Sequence, residues 1–479
     1  MKNAMTSRRG FLALSTSLAA MLAGCAKAED KADKDDAAKD TQTTSEEEAK
    51  DAIERESIND DTNGGHAIAV SAEQKSYSAV DVTKTGDDDG DESDFYGTNA
   101  AVYAEEGATL TLDDVTVTTD GMHANAVFSY GEGTSVTISD SQIQTSNNCS
   151  GGIMVTGGGA LVANNLTVHT TGNSSAPIRS DRGGGTQEVV GGTFKSEGVG
   201  SPVVYSTADV HVSGAAMEST ASQGVVVEGK NSVSLEDCEL VASNTQKNSD
   251  KSDWYQAVMI YQSMSGDAAE GEASFSAKGG SITNANGDVF FVNNTVATIT
   301  LSGVAIQNND EQGHFLRAAA AGWGNEGSNG GQVTLKASGQ ELGGSMLVDE
   351  VSHLNLYLSD GSTFAGSINP DGKSGDVYVD LADGCTWELA ADSYVTSLTC
   401  GTDGVALNGY TLYVGDDTYV EGTASTGTAI EATVSESSGG PGGKPGDGGE
   451  PPQKPGGDGE PPAKPSGDGE PPAKSDDQN

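Results

Sequence analysis

The chain has 479 residues, a net charge of −46 and 65 glycines, with only 5% aromatic and 35% hydrophobic residues. So small a supply of large apolar side chains excludes one thick core, and order must come from many small, repeated burials. The acidic surface excludes nucleic acid and anionic lipid as partners by repulsion, and suits a protein kept soluble outside a cell.

Residues 1–24 read as an export leader rather than as part of a fold. Ser7-Arg8-Arg9-Gly10-Phe11-Leu12 resembles the twin-arginine translocation motif, with Arg8 and Arg9 as the paired basic residues. The apolar run from Leu12 to Leu22 is too short to span a bilayer. It ends in Leu22-Ala23-Gly24-Cys25, which resembles a bacterial lipobox and implies lipidation of Cys25. The expected location is the cell surface, on the outer face of the cytoplasmic membrane, with the Cys25 lipid as the membrane contact. Residues 25–62 are mainly Ala, Lys, Asp, Glu and Thr, the composition of an acidic disordered stalk.

Residues 63–430 change character. Short apolar runs recur at Val102, Val127, Ile153, Ile178, Val203, Val226, Met259, Phe290, Phe315 and Met346. Alternating segments such as Val136-Thr137-Ile138, Val210-His211-Val212 and Ile299-Thr300-Leu301 lie between them. Period-two alternation bounded by Gly, Asn, Ser and Asp marks strands, so the fold class is all-β. A near-constant period of this length marks a solenoid. The consensus of leucine-rich repeats and the 3.6-residue period of helical repeats are both missing, and a β-meander would show hairpin turns. A single right-handed parallel β-helix fits best, each coil giving two or three short strands that pair one coil up, about 4.8 Å away. Roughly a dozen coils make a rod about 60 Å long, with capping segments expected around residues 63–98 and 376–430. Residues 431–479 repeat a Gly-Asp-Gly-Glu-Pro-Pro-X-Lys unit and read as a disordered tail.

The ordered landmarks Asp94-Phe95-Tyr96-Gly97-Thr98-Asn99, Ser180-Asp181-Arg182-Gly183-Gly184-Gly185, Ser201-Pro202-Val203-Val204-Tyr205-Ser206, Glu228-Gly229-Lys230-Asn231, Val258-Met259-Ile260-Tyr261-Gln262 and Trp323-Gly324-Asn325-Glu326-Gly327 suggest a family. Together they resemble exported bacterial, pectin-lyase-like parallel β-helix proteins described as adhesin-like. The resemblance covers about residues 63–420 and implies the fold. It brings no established catalytic residues with it.

Aligning the coils gives a column Tyr103, Phe128, Met154, Arg179, Val204, Val227, Ile260, Phe291 and Leu316, in which Arg179 is the charged exception. Two positions on stand Glu105, Tyr130, Thr156, Asp181, Ser206, Gly229, Gln262 and Asn293, a mostly polar set that suggests a bend at the lip of a groove. Arg179, Asp181 and Arg182 form a charged cluster, with Tyr205, Glu228 and Lys230 one or two coils away. Polysaccharide lyases of this fold class use an Arg or Lys base beside calcium-holding carboxylates. The cluster has these residue types but lacks the several aligned Asp of a calcium site. A structural ion pair with a glycine bend is the simpler reading.

Calcium is the one cofactor the composition raises, at Asp87, Asp89 and Asp91 in an acidic run whose spacing is not that of an EF-hand. Three long steps place insertions at residues 244–256, 263–273 and 318–331. These hold Trp254, Tyr255 and Trp323, with Tyr261 between the first two. Such aromatics either stack on sugars or cover apolar strand surface. The six histidines show no metal-binding spacing. Cys149 and Cys238 are expected inside the stack, and Cys385 with Cys400 as a candidate disulfide. The expected function is adhesion or glycan and envelope binding by a monomer, with an extracellular glycan or surface protein as partner. The alternatives are a polysaccharide lyase or glycosidase acting in the groove, and a passive spacer.

Overall fold

The computed structural model describes residues 55–432 apart from 89, 91, 248 and 264. Over that span the chain winds as a single parallel β-helix. One coil runs through the strands Ile178–Ser180, Gly185–Val190 and Thr193–Ser196. The next repeats it as Val204–Ser206, Asp209–Ser213 and Ala216–Ser219. Ile178 pairs with Val204, Thr186 with Asp209 and Thr193 with Ala216, all parallel. The first strands of successive coils make a 14-stranded sheet, and the second and third make a 21-stranded one. The latter is continuous because Gln74–Lys84 and Thr109–Thr119 run through both ladders unbroken. Fourteen strands at about 4.8 Å give a stack about 60 Å long.

Alternation decides what lies inside. Val102, Ala104, Val127, Ile153, Val155 and Ile178 point inward from the 14-stranded sheet and belong to one core. That core is narrow, so a few rings fill it: Phe290 sits 5.7 Å from Phe275 and 5.5 Å from Phe315, centroid to centroid. Where the chain leaves the third ladder, the inner position on several coils serves a turn carbonyl. The hydroxyls of Thr145, Thr170 and Ser196 donate to the carbonyls of Ser150, Ser175 and Ser201 on successive coils. Ser and Thr in place of Val thus answer the hydrogen-bonding demand of these turns, although Ala242 stands at the same position on a later coil. The Gly183-Gly184-Gly185 bend answers a steric one, since a Cβ on Gly185 would fall 2.1 Å from the carbonyl oxygen of Gly159.

Several expectations need correction. The ordered part begins before residue 63, because Glu56–Asp60 form a strand paired with Val80–Lys84. Asp60 there meets the fully buried Lys84 at 3.0 Å, so an acid read as stalk composition neutralises an internal cation. At the other end a small sheet of Ser393–Val395, Leu412–Val414 and Asp417–Thr418 closes with an antiparallel pair, which ends the parallel ladder. The segment of residues 92–97 lies over the outside of the 14-stranded sheet: a Cβ on Gly97 would meet the rings of Tyr103 and Phe128 at 2.8 Å. Cys385 and Cys400 are both buried and free. They flank strands of different sheets, and the Cys400 thiol turns to the Tyr419 hydroxyl at 3.7 Å. Arg8, Arg9, Cys25, Asp89, Asp91 and the repeat tail lie outside the described residues.

Candidate functional site on the outer face

The register of the 14-stranded sheet changes the column that holds Arg179. Tyr103, Phe128, Met154 and Arg179 do stack, but the next members are Tyr205, Val226, Met259, Phe291 and Arg317. Consecutive apolar residues such as Pro202-Val203-Val204 and Val225-Val226-Val227 hide the phase, because a strand apolar on both sides has no period-two contrast. Arg317, not Leu316, is therefore a second charged member of the column. The column two positions on runs through Glu105, Tyr130 and Thr156 to Glu228, Tyr261 and Asn293. No bend separates the two. Met259 and Tyr261 share one outer cluster, and Tyr103 and Tyr130 another.

The outer face is thus apolar at two places with charge between and beyond them. One patch, Ala100, Tyr103, Phe128 and Met154, lies under the 92–97 segment. The second, Val226, Met259, Tyr261 and Phe291, lies under Trp254 and Trp323 from two of the expected insertions. Arg179 comes between the patches and Arg317 stands five coils further along, about 24 Å away. Each guanidinium is held by acids. Arg179 donates to Asp94 and to Asp181, both at 3.1 Å, and Gln187 donates to its carbonyl. Arg317 meets Asp288 at 2.6 Å and lies over the Trp254 ring at 4.4 Å. Arg182 pairs instead with Asp267 from the 263–273 insertion and stacks on Phe95 at 3.8 Å.

Between the arginines the face is a groove. A recess of about 230 Å³ is lined by Arg179, Asp181, Pro202, Tyr205 and Tyr261. It continues through the shared Pro202, Tyr205 and Tyr261 to a narrower cleft under Trp254, Tyr255 and Trp323. Trp254 also borders a third recess, with Arg317 and Asp371 on its walls. At the floor, the Tyr205 and Tyr261 hydroxyls both donate to one oxygen of Glu228, at 2.5 and 2.9 Å. Burial pushes both phenols well above their usual range, with the Glu228 carboxylate adding to it. These hydroxyls are fixed donors rather than acids at neutral pH. Lys230 is exposed at the margin and does not join the cluster. Asp87 accepts from the Met122 amide and Asp88 from the Ser93 hydroxyl, which ties that loop by hydrogen bonds.

Asp94 and His123 were invisible to the column alignment, because one comes from the covering segment and the other from a turn. His123 Nδ1 is 3.3 Å from Asp94 Oδ2. Burial alone would raise Asp94, but Arg179 and His123 outweigh it and hold the carboxyl low. Burial pushes Asp181 up to about 6; Arg179 offsets part, while Asp94 and Asp267 add repulsion. The Asp94 carboxylate first, and Cys149 next, raise His123 from 6.5 to about 10. A base whose folded value is the higher one stabilises fully below about 6.5, and that stabilisation is lost as pH rises toward about 10. With EDTA present, the melting temperature should fall across that range, and His123→Gln should flatten the fall. Parallel curves for the two proteins would contradict this assignment.

Cys238 is inside the stack as expected, but Cys149 is half-buried in a turn and faces Asp94 and His123. No protein-family model matches this chain, and no curated protein or solved structure matches it.

Proposed function

We propose that this protein is an exported, lipid-anchored surface β-helix whose outer groove binds an extracellular glycan or glycan-bearing surface component. The observation that carries the reading is the aromatic groove itself. Tyr205, Tyr261, Trp254 and Trp323 gather along one face of a chain that is only 5% aromatic. Aromatic faces stack on the apolar faces of sugars, and the Tyr205 and Tyr261 hydroxyls, their protons held by Glu228, can accept from sugar hydroxyls. The net charge of −46 favours a neutral glycan over a polyanion. The leader and lipobox-like residues support a place at the cell surface. The resemblance to pectin-lyase-like, right-handed, adhesin-like proteins points the same way.

The lyase alternative fits less well, because both arms of Arg179 are held by carboxylates and Arg179 offers no free base. A glycosidase reading draws its support from Asp181, an acid at the groove wall raised to about 6. A glycan array probed with the purified protein, with calcium and with EDTA, followed by product analysis, separates these readings. Retention without cleavage in both buffers is the expected result. Shortened or unsaturated products would replace the binding reading by an enzymatic one, and no retention on any glycan would refute it.

A further inference from the structure

We propose that Asp94, His123 and Cys149 form a binding site for one divalent transition-metal ion of the zinc class, beside the glycan groove and sharing Arg179 with its wall. A carboxylate oxygen, an imidazole nitrogen and the Cys149 sulfur all lie within 4.8 Å of one another, in one half-buried group. Three ligands of this mixed O, N and S character, with one position open to water, suit a tetrahedral borderline-soft ion and not calcium, which takes six to eight oxygens.

The fold explains how two of the ligands come together. His123 and Cys149 occupy equivalent turn positions on successive coils: the His123 amide donates to Asn148 and the Cys149 amide to Asn173. Both are left-handed, with φ of 55° and 56°, so their side chains leave the turn in parallel, one coil apart. Left-handed backbone is costly for such residues, and the next coils carry Ser174 and then Gly200 at this position. Ser174 is left-handed too, at 54°, so the turn conformation belongs to the whole column, and two of its members supply nitrogen and sulfur.

Asp94 arrives from the segment laid over the sheet, and Arg179 orients it. The guanidinium holds Asp94 Oδ1 at 3.1 Å, which leaves Oδ2, the oxygen 3.3 Å from His123 Nδ1, to face the other two ligands. A cation hydrogen-bonded to the far oxygen of a ligating carboxylate is an outer-shell partner of the kind that fixes ligand geometry. Charge also balances. With a thiolate at Cys149 and neutral His123, Asp94, Asp181 and Cys149 carry three negative charges against one on Arg179, and a divalent ion neutralises the remainder. Binding releases two protons to solvent, one from the Cys149 thiol and one from the His123 imidazolium.

The test is a titration of the full-length chain, freed of metal by a chelator, with Co²⁺ and then Zn²⁺. One equivalent of Co²⁺ should give the thiolate-to-cobalt charge-transfer absorption, and Zn²⁺ should abolish it by displacement. Cys149→Ser should remove the band while Cys238→Ser keeps it. Asp94→Asn should weaken binding by about 10-fold or more. Circular dichroism of each variant shows whether it is folded, and His123→Gln gives a second variant should Asp94→Asn unfold. Absence of the band in the native chain, or its survival in Cys149→Ser, would overturn the proposal. So would rapid, His123-dependent alkylation of Cys149 that excess Zn²⁺ does not slow, which would make the pair a nucleophile and base instead.

Discussion

Arg179→Met should lower the stability of the β-helix by about 3–5 kcal/mol, the usual cost of removing one partner from a buried ion pair. Arg179 is only 9% exposed, and its side chain holds both Asp94 and Asp181. Without it two carboxyls remain buried together, one at the groove wall and one on the covering segment. Asp181 can relieve part of the cost by taking a proton, so the loss should be greater at pH 8 than at pH 5. Arg179→Met combined with Asp181→Asn should recover part of the loss at pH 8. Arg182→Met is the comparison. Its side chain is 40% exposed and pairs with a single acid, so the cost should stay near or below about 1 kcal/mol. Chemical denaturation of the four proteins checks the ordering. Equal losses for Arg179→Met and Arg182→Met would contradict a larger stabilising role for the buried Arg179 ion pairs than for the part-exposed Arg182.

The architecture was readable from the sequence because coil repetition is a property of the chain alone. Strand alternation and turn residues are local, and the coil period reports which strands stack. The three insertions and their aromatics were legible for the same reason: an interruption of a regular period stands out. Register was less legible. Val203-Val204 and Val225-Val226-Val227 carry apolar side chains on both faces, since the outer face is itself covered, and the phase slipped there. That slip concealed Arg317 and placed Val204 where Tyr205 belongs. Asp94 was beyond any column argument, because the covering segment has no counterpart on other coils, and His123 sits in a turn column with Cys149 that an alignment of strands does not follow. A signal existed in the composition: Phe95 and Tyr96 directly follow the acidic run, in a stretch that needed an apolar surface to lie on.

Trp323→Ala should weaken glycan binding by about 10-fold or more, the loss of roughly 1.4 kcal/mol or greater expected for a central aromatic contact. Trp254→Ala should do something different. Trp254 packs on Phe291 with centroids 5.6 Å apart and carries Arg317 over its ring. Truncation there strips cover from the outer apolar patch and unseats the Arg317 guanidinium. Stability and binding should fall together. Trp323 instead meets Tyr261 by an edge, at 5.1 Å, and lines the cleft. Its loss should affect binding more than folding. The two tryptophans therefore divide the two roles that their sequence positions left open, lid and sugar platform. Calorimetric titration beside thermal melting for each variant checks the division. A Trp323→Ala protein that binds unchanged but melts early would make both residues part of the lid.

The protein has three tryptophans, two in the groove and one, Trp387, wholly inside the core against Phe364. Their indole N–H signals in a nitrogen–proton correlation spectrum, assigned by single substitutions, report the site of binding directly. Adding a glycan retained on the array should shift the Trp254 and Trp323 signals and leave that of Trp387 in place. A glycan that binds while both groove signals stay fixed would contradict a binding site on the outer face of the 14-stranded sheet.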